Sequence, residues 1–352
     1  MAAGPITVRP DDGTVLLTAV AFRPVPGRAP LFDVVGIGNA LVDVIAHAGD
    51  PFLDAHALVK GSMELIDTDR AVHLYRALGT AVEMSGGSAA NTMCGVASLG
   101  GQAAYIGKVS DDDLGNVFGH DMNALGVSFR RGAPQGDTPT GRCIIVVTPD
   151  AQRTMNTYLG VSSLLSADDL DEAAIADGAV LYMEGYLFDR DDAKKAFRRA
   201  ASVSHEAGRK VSLTLSDSFC VDRHRDDFAA LVRDDVDILF GNGEELCSLY
   251  ELDSLDDALA RVRTECELAA ITAGKDGSYV VSAADVVKVP AEPVARVLDT
   301  TGAGDLYAAG FLYGYTRALP LEECGRIGSI AAAEVISHVG PRPLVELRTL
   351  LT

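Results

Sequence analysis

Tryptophan is missing from the 352 residues altogether, aromatics make up only 6%, and 30 basic residues stand against 50 acidic ones, a net charge of −20. That shortage of positive charge excludes nucleic acid and anionic membrane surfaces as main partners, since both carry the same sign as the protein. It also obliges any anionic ligand to be held locally, by backbone N–H groups, metal ions or single Arg and Lys residues. The six cysteines are scattered without a C-x-x-C, and the seven histidines show no H-x-x-x-H pair. Zinc sites of the usual spacings and a disulfide framework are thereby excluded, and a reduced, cytoplasmic setting fits. No apolar run approaches a membrane span. The first thirty residues, broken by Asp11, Asp12 and several prolines, do not read as a secretory signal. They are expected to form a disordered extension over 1–30, ahead of one domain over 31–346.

What is there is an alternation of apolar runs and amphipathic segments, with 48% hydrophobic residues. Residues 32–38 form a β-rich run ending in glycines, the pattern of a buried strand, with Asn39 and Asp43 just past its end. The segment 44–66 is turn-rich and reads as a small β excursion rather than a helix. Residues 142–148 are strongly β; Pro149-Asp150 marks a turn, and Arg153 opens the return strand of a hairpin. From residue 162 onward the pattern is regular. Strands at 179–184, 211–215, 237–240 and 268–272 alternate with helices at 192–207, 226–233, 244–250 and 255–266. A hairpin over 279–289 and a last helix over 321–338 complete it. Such β–α units predict an α/β fold: a Rossmann-like, mostly parallel sheet with helices on both faces. The two excursions, about 44–66 and 140–160, are expected to build a small β-sheet lid. Ligands of such sheets collect beyond the carboxyl ends of the strands.

Four stretches carry chemistry. Asp299-Thr300-Thr301-Gly302-Ala303-Gly304-Asp305 opens a long apolar helix. Its free N–H groups stabilise an anion, and Asp305 beside that anion suggests phosphoryl transfer with the acid as base. The plainer alternative is a cap on a glycine-rich turn. Gly86-Gly87 followed by Asn91 lets a backbone approach a ligand closely, and Asn39, Asp43 and Asn91 are the residue types that chelate vicinal hydroxyls. Each taken singly is equally a cap or turn residue. Asn242-Gly243-Glu244-Glu245 places an Asn and a Glu three apart, able to hold a hydrated Mg²⁺ or simply to suit a first helical turn. Thr272 to Gly277, with Gly274, reads as a loop that covers a nucleotide or merely turns. Arg153, on the lid hairpin, is long enough to reach a transferring phosphoryl group, although the type is usually a surface residue. Two other motifs fail. Gly36-Ile37-Gly38 has Leu41 where the third glycine of a dinucleotide fingerprint belongs, and Gly107-Lys108 has Gln102 where a P-loop needs its first glycine.

Together these stretches resemble the ribokinase (PfkB) family of carbohydrate and nucleoside kinases. The segment 299–305 looks like its carboxy-terminal signature, 86–100 like its amino-terminal one, and 242–245 like its N-x-x-E motif; the resemblance covers about 32–343. It implies ATP with Mg²⁺ as phosphoryl donor, Asp305 as base, and the N–H groups of Gly302, Ala303 and Gly304 as anion hole. Within the family, 38–43, 155–160 and 184–188 are similar to bacterial adenosine kinase-like members. That likeness implies ribose on Asn39 and Asp43, adenine against Tyr186 or Leu187, and Ser329 near the base of the nucleotide donor. It also implies a monovalent cation, K⁺, near Asp299 and Thr301. Gly243 departs from the family by standing where a second acid is often found. The expected activity is phosphorylation of the 5′-hydroxyl of adenosine by a monomer or homodimer. The alternatives are a ribose or fructose kinase, an inosine or guanosine kinase, or a silent scaffold relative.

Overall fold

The computed structural model describes residues 29–132, 136–150 and 152–351; the extension expected over 1–30 falls outside them up to residue 28. A nine-stranded sheet forms the body. From one edge to the other it runs Val286–Val289, Ser278–Ser282, Leu268–Thr272, Ile238–Asn242, Lys210–Thr214, Gly178–Glu184, Phe32–Ile37, Ala103–Ile106 and Val127–Phe129. The pairings are parallel except for the two that build the edge hairpin, Leu268–Thr272 with Ser278–Ser282 and the latter with Val286–Val289.

The period-2 pattern of each strand divides the core between the two faces. Val35, Ile37, Leu181 and Met183 point to one side, against the helices Asp191–Glu206, Ser218–Asp234, Gly243–Tyr250 and Leu255–Val262. Val34, Val180, Tyr182 and Phe240 point to the other, against Ser88–Ser98, Asp113–Ala124 and Ala303–Thr316. The last of these is buried nearly all round. Gly310 lets it lie directly on Leu321–Ile336, since a Cβ there would stand 2.6 Å from the Ile327 carbonyl.

A second, five-stranded sheet runs Met63–Leu65, Arg153–Tyr158, Gly141–Val147, Leu41–His47 and Ala81–Gly86. Its composition differs from the sequence reading in two ways. Asp50–Ala55 is a helix, started by Pro51 in its first turn, inside the stretch expected to be β. Ala81–Gly86 is a full strand antiparallel to Leu41–His47, although its apolar residues are too few to announce it. One face of this sheet packs Ile144 and Val146 on Leu53, Leu58 and Leu74. The other face, with Cys143, Ile145 and Met155, looks into a cleft between the two sheets.

The chain passes from the large sheet to the small one at Gly38-Asn39-Ala40 and returns at Gly86-Gly87. These two crossings touch: a Cβ on Gly87, whose φ is +101°, would lie 2.2 Å from the Asn39 carbonyl oxygen.

Candidate active site

The cleft has a volume of about 1940 Å³. A pocket for one small molecule measures roughly 300–1,000 Å³, so this one has room for two.

Its floor is the start of Ala303–Thr316. Gly302 caps that helix in the left-handed region, φ +81°, and a side chain there would strike Pro341 at 2.9 Å. The turn before it is fixed by Asp299, whose Oδ1 accepts from the Thr301 N–H at 3.0 Å and its hydroxyl at 2.6 Å. Ala303 N–H donates to the Thr300 carbonyl at 3.2 Å, which closes the turn. Gly304 and Asp305 have no carbonyl a turn earlier within the helix, and nothing lies within 4 Å of where a Gly304 side chain would be. The N-terminus therefore offers donors to open space.

Asp305 is half-buried here. Its Oδ1 accepts from the Ser88 hydroxyl at 2.6 Å and its Oδ2 from the Asn91 amide at 2.9 Å, both across more than two hundred positions of sequence. Burial pushes its pKa up to about 6 against the pull of Ser88, Asn91 and the Arg342 charge. Asn91 itself is 5% exposed, and its Oδ1 has no partner. An unpaired buried acceptor beside a carboxylate of raised pKa suits an incoming hydroxyl.

Asp43 and Asn39 lie next along the cleft, at the crossing into the small sheet. Asp43 is buried, which raises it to about 6 against the charges of Arg342 and Arg153. Gly86 exists for this carboxylate, since a Cβ there would stand 2.6 Å from it; Gly86 does not itself line the cleft, whereas Gly87 does. Asn39 is already engaged. Its amide and backbone N–H donate to Glu184 Oε1 at 3.1 and 3.2 Å, and its Oδ1 accepts from the Ser162 hydroxyl at 3.0 Å.

Glu184 was not singled out by the sequence. It is 1% exposed, lies at the end of the interior strand Gly178–Glu184, and also accepts from the Ala89 N–H at 2.8 Å. Burial lifts its pKa to about 7 despite those bonds. It pins both crossings of the chain, and the absent side chain of Gly38 makes its room: a Cβ there would sit 2.3 Å from Oε2. Ser88 and Arg342 were missed as well. Arg342 is buried and donates to the carbonyl and hydroxyl of Ser85 at 2.9 and 3.1 Å, and to Cys94.

Tyr186 lines the cleft and donates its hydroxyl to the Ser216 carbonyl at 3.3 Å. Leu187 does not line it. The 3-10 turn Gly185–Asp189 sends consecutive side chains in different directions, and Leu187, 3% exposed, packs in the core. Of the two residues expected beside a ligand base, the structure therefore brings Tyr186 to the cleft and leaves Leu187 in the core.

At the far end the cleft is lined by Asn242, Thr272, Gly274, Gly277, Thr301 and Ser329. Gly277 is demanded by packing, since a side chain would meet the Val289 carbonyl at 2.0 Å. Ser329 accepts from Glu292 N–H at 2.8 Å and so ties the loop beyond the edge hairpin to the last long helix. Asn242 and Glu245 close on each other as a capping box. The Asn side chain accepts from Glu245 N at 2.9 Å, and the Glu carboxylate accepts from Asn242 N at 2.9 Å and Nδ2 at 2.6 Å. Burial raises Glu245 to about 7. Among the described residues no three His, Cys, Asp or Glu stand together as a metal cage. This donor set fits an ion that keeps its waters and takes its direct ligands from phosphates.

Fold and site together define a phosphotransferase with an alcohol group as acceptor. The profile of the pfkB family carbohydrate kinases matches residues 56–347, and the chain belongs to that family, which uses ATP with a metal ion. Among solved structures, an adenosine kinase from Sinorhizobium meliloti is 51% identical with a TM-score of 0.83, over 91% of this chain and 98% of that one. A probable sugar kinase from Rhizobium etli CFN 42 is 47% identical with a TM-score of 0.84, at the same coverage. A 5-dehydro-2-deoxygluconokinase from Lacticaseibacillus casei is 27% identical over 320 residues, 88% of this chain and 90% of the relative. No helix among the described residues is long and apolar enough to cross a membrane.

Proposed function

We propose that the protein transfers the γ-phosphoryl group of ATP to the 5′-hydroxyl of adenosine, giving AMP and ADP, a purine-salvage reaction. The observation that carries phosphoryl transfer to a hydroxyl is Asp305, poised by Ser88 and Asn91 at an open helix N-terminus. Adenosine as acceptor is supported by the likeness to the Sinorhizobium enzyme and by the apolar wall of the small sheet, where Ile145 and Met155 face the cleft.

In this reading Asp305 accepts the hydroxyl proton as the phosphoryl group arrives, and the unpartnered Asn91 Oδ1 helps to orient that hydroxyl. Asp43 and what remains of Asn39 hold the ribose, with Glu184 fixing Asn39 in place. The N–H groups at Gly302 and Gly304 stabilise the charge of the transferring group, with Ala303 completing the turn. Arg153 has Nε and Nη2 without partners and extends the same field. ATP lies along Asn242, Thr272 to Gly277 and Ser329, and Tyr186 is available to the acceptor base. When bound, Mg²⁺ neutralises the ATP phosphates, and Asn242 and Glu245 would hold it through water. Closing the small sheet over the cleft as a lid excludes water, which would otherwise take the phosphoryl group.

The names of the Rhizobium and Lacticaseibacillus relatives favour a sugar as the second reading. Following ADP release with Mg·ATP over adenosine, inosine, guanosine, ribose, fructose and 5-dehydro-2-deoxygluconate decides between them. Adenosine should give the highest kcat/KM; a sugar preferred over every nucleoside would replace the reading.

A further inference from the structure

Asp299 stands directly before the turn that forms the anion site, and its carboxylate is full. Oδ1 receives the N–H and hydroxyl of Thr301; Oδ2 receives Arg153 Nη1 at 2.9 Å and Gly340 N–H at 2.9 Å. A carboxylate offers about four lone-pair directions. All four are used, in a pair whose side chains are only 9% and 8% exposed. A K⁺ ion bound to the same group would displace one of these donors. It would also sit within a few ångströms of a guanidinium of the same sign, in surroundings that screen the repulsion poorly. The monovalent cation expected at Asp299 and Thr301 does not fit the residues present.

We propose that Arg153 is the enzyme's own monovalent cation: its guanidinium occupies the place at Asp299 that K⁺ would take, so the enzyme needs no K⁺. The substitution changes what the site can do. A spherical ion neutralises the carboxylate and presents no directed donor. The guanidinium carries five N–H groups in a fixed plane, neutralises Asp299 with one of them, and leaves Nε and Nη2 unpartnered on a residue that lines the cleft. It also comes from a different part of the fold. Arg153 begins a strand of the small sheet, 146 positions from Asp299, so neutralisation of the anion-site turn depends on where that sheet lies. The inference rests on membership of the kinase family and not on which acceptor is used.

Thermal unfolding tests it without any acceptor. KCl is titrated against tetramethylammonium chloride at constant ionic strength, and Tm is followed for the wild type and for Arg153→Met, which keeps the bulk of the stem and removes the charge. An ion that binds only the folded state raises Tm with its concentration. The wild type should show no K⁺-specific rise, Arg153→Met should acquire one, and Arg153→Met with Asp299→Asn should lose it again. A K⁺-specific rise in the wild type overturns the proposal. So does a folded Arg153→Met protein as insensitive as the wild type, because Asp299 would then hold no cation even when freed. If Arg153→Met shows no cooperative transition, Arg153→Lys replaces it; this variant keeps a charge and must stay insensitive, and a K⁺-specific rise in it counts against the proposal. The same titration of the turnover rate, with whichever acceptor is active, should be flat for the wild type. An enzyme inactive on every acceptor would sink the adenosine reading and leave the Tm result standing.

Discussion

Asn91 gives its amide to Asp305 at 2.9 Å while its own carbonyl oxygen, in the same buried corner, has no partner. One side chain thus holds the proposed base and leaves an acceptor where a hydroxyl must come. The cost of that arrangement is measurable.

Asp305→Asn should lower kcat about 10²–10⁴-fold, the usual worth of a positioned base, with ATP affinity nearly kept. The same change should stabilise the protein. Burial raises the Asp305 pKa to about 6 from 3.8, so the folded state holds the proton more tightly than the unfolded one. Stability from this group is complete below the unfolded value and is lost as pH rises through about 6. Above that pH the neutral variant avoids the loss, by about 1–3 kcal/mol on the scale of 1.36 kcal/mol per pKa unit. Melting both proteins at acid and at neutral pH checks it: the gain must vanish in acid.

The pH profile of kcat should rise through about 6, as Asp305 gives up its proton and can act as base. Asp43 titrates in the same range and Glu184 near 7, so the limb should be steeper than one ionisation. A rate independent of pH between 5 and 8 would remove Asp305 from that role.

Two neighbouring glycines should respond in opposite ways. Gly302→Ala puts a side chain at φ +81° and 2.9 Å from Pro341, and should cost about 1–3 kcal/mol of stability. Gly304→Ala meets no atom of the protein and adds a good helix former, so stability should hold or rise by up to about 1 kcal/mol. Its methyl group would stand in the anion site, and turnover should collapse. Unfolding curves and kcat measured on both variants separate the two cases.

Glu245→Gln keeps the shape of the capping box and removes its charge. The variant should need a higher Mg²⁺ concentration for half-maximal rate, while Tm falls by no more than the equivalent of about 1 kcal/mol for a weakened cap. Removing Mg²⁺ with a chelator should stop turnover in both proteins and leave Tm unchanged, since no metal cage exists among the described residues.

The fold was legible where one residue type repeats. Buried strands such as Gly178–Glu184, and helices such as Asp191–Glu206 with Ala193, Ala196, Phe197 and Ala200 inward, announce themselves by period. Ala81–Gly86 did not, because its pairing with Leu41–His47 and not its own composition makes it a strand. The same split holds in the site. Asp299 to Asp305 and Gly86 to Asn91 are local patterns and could be read directly. Glu184 and Arg342 could not, since their partners lie 95 to 257 positions away and only the folded chain brings them together. Leu187 lies away from the cleft that Tyr186 lines for a related reason: sequence neighbours of a site residue share its address but not its direction.

Arg342 reaching back to Ser85 spans 257 positions, and Asp305 reaching Ser88 spans 217. A chain emerging from the ribosome can build most of its large sheet before either contact is available. The proposed base, the turn beneath it and the arginine that steadies the strand Ala81–Gly86 all arrive in about the last sixth of synthesis. Losing residues 340–352 would remove Gly340 and Arg342 from the site, and a nascent or prematurely terminated chain would hold its pocket without the power to turn over.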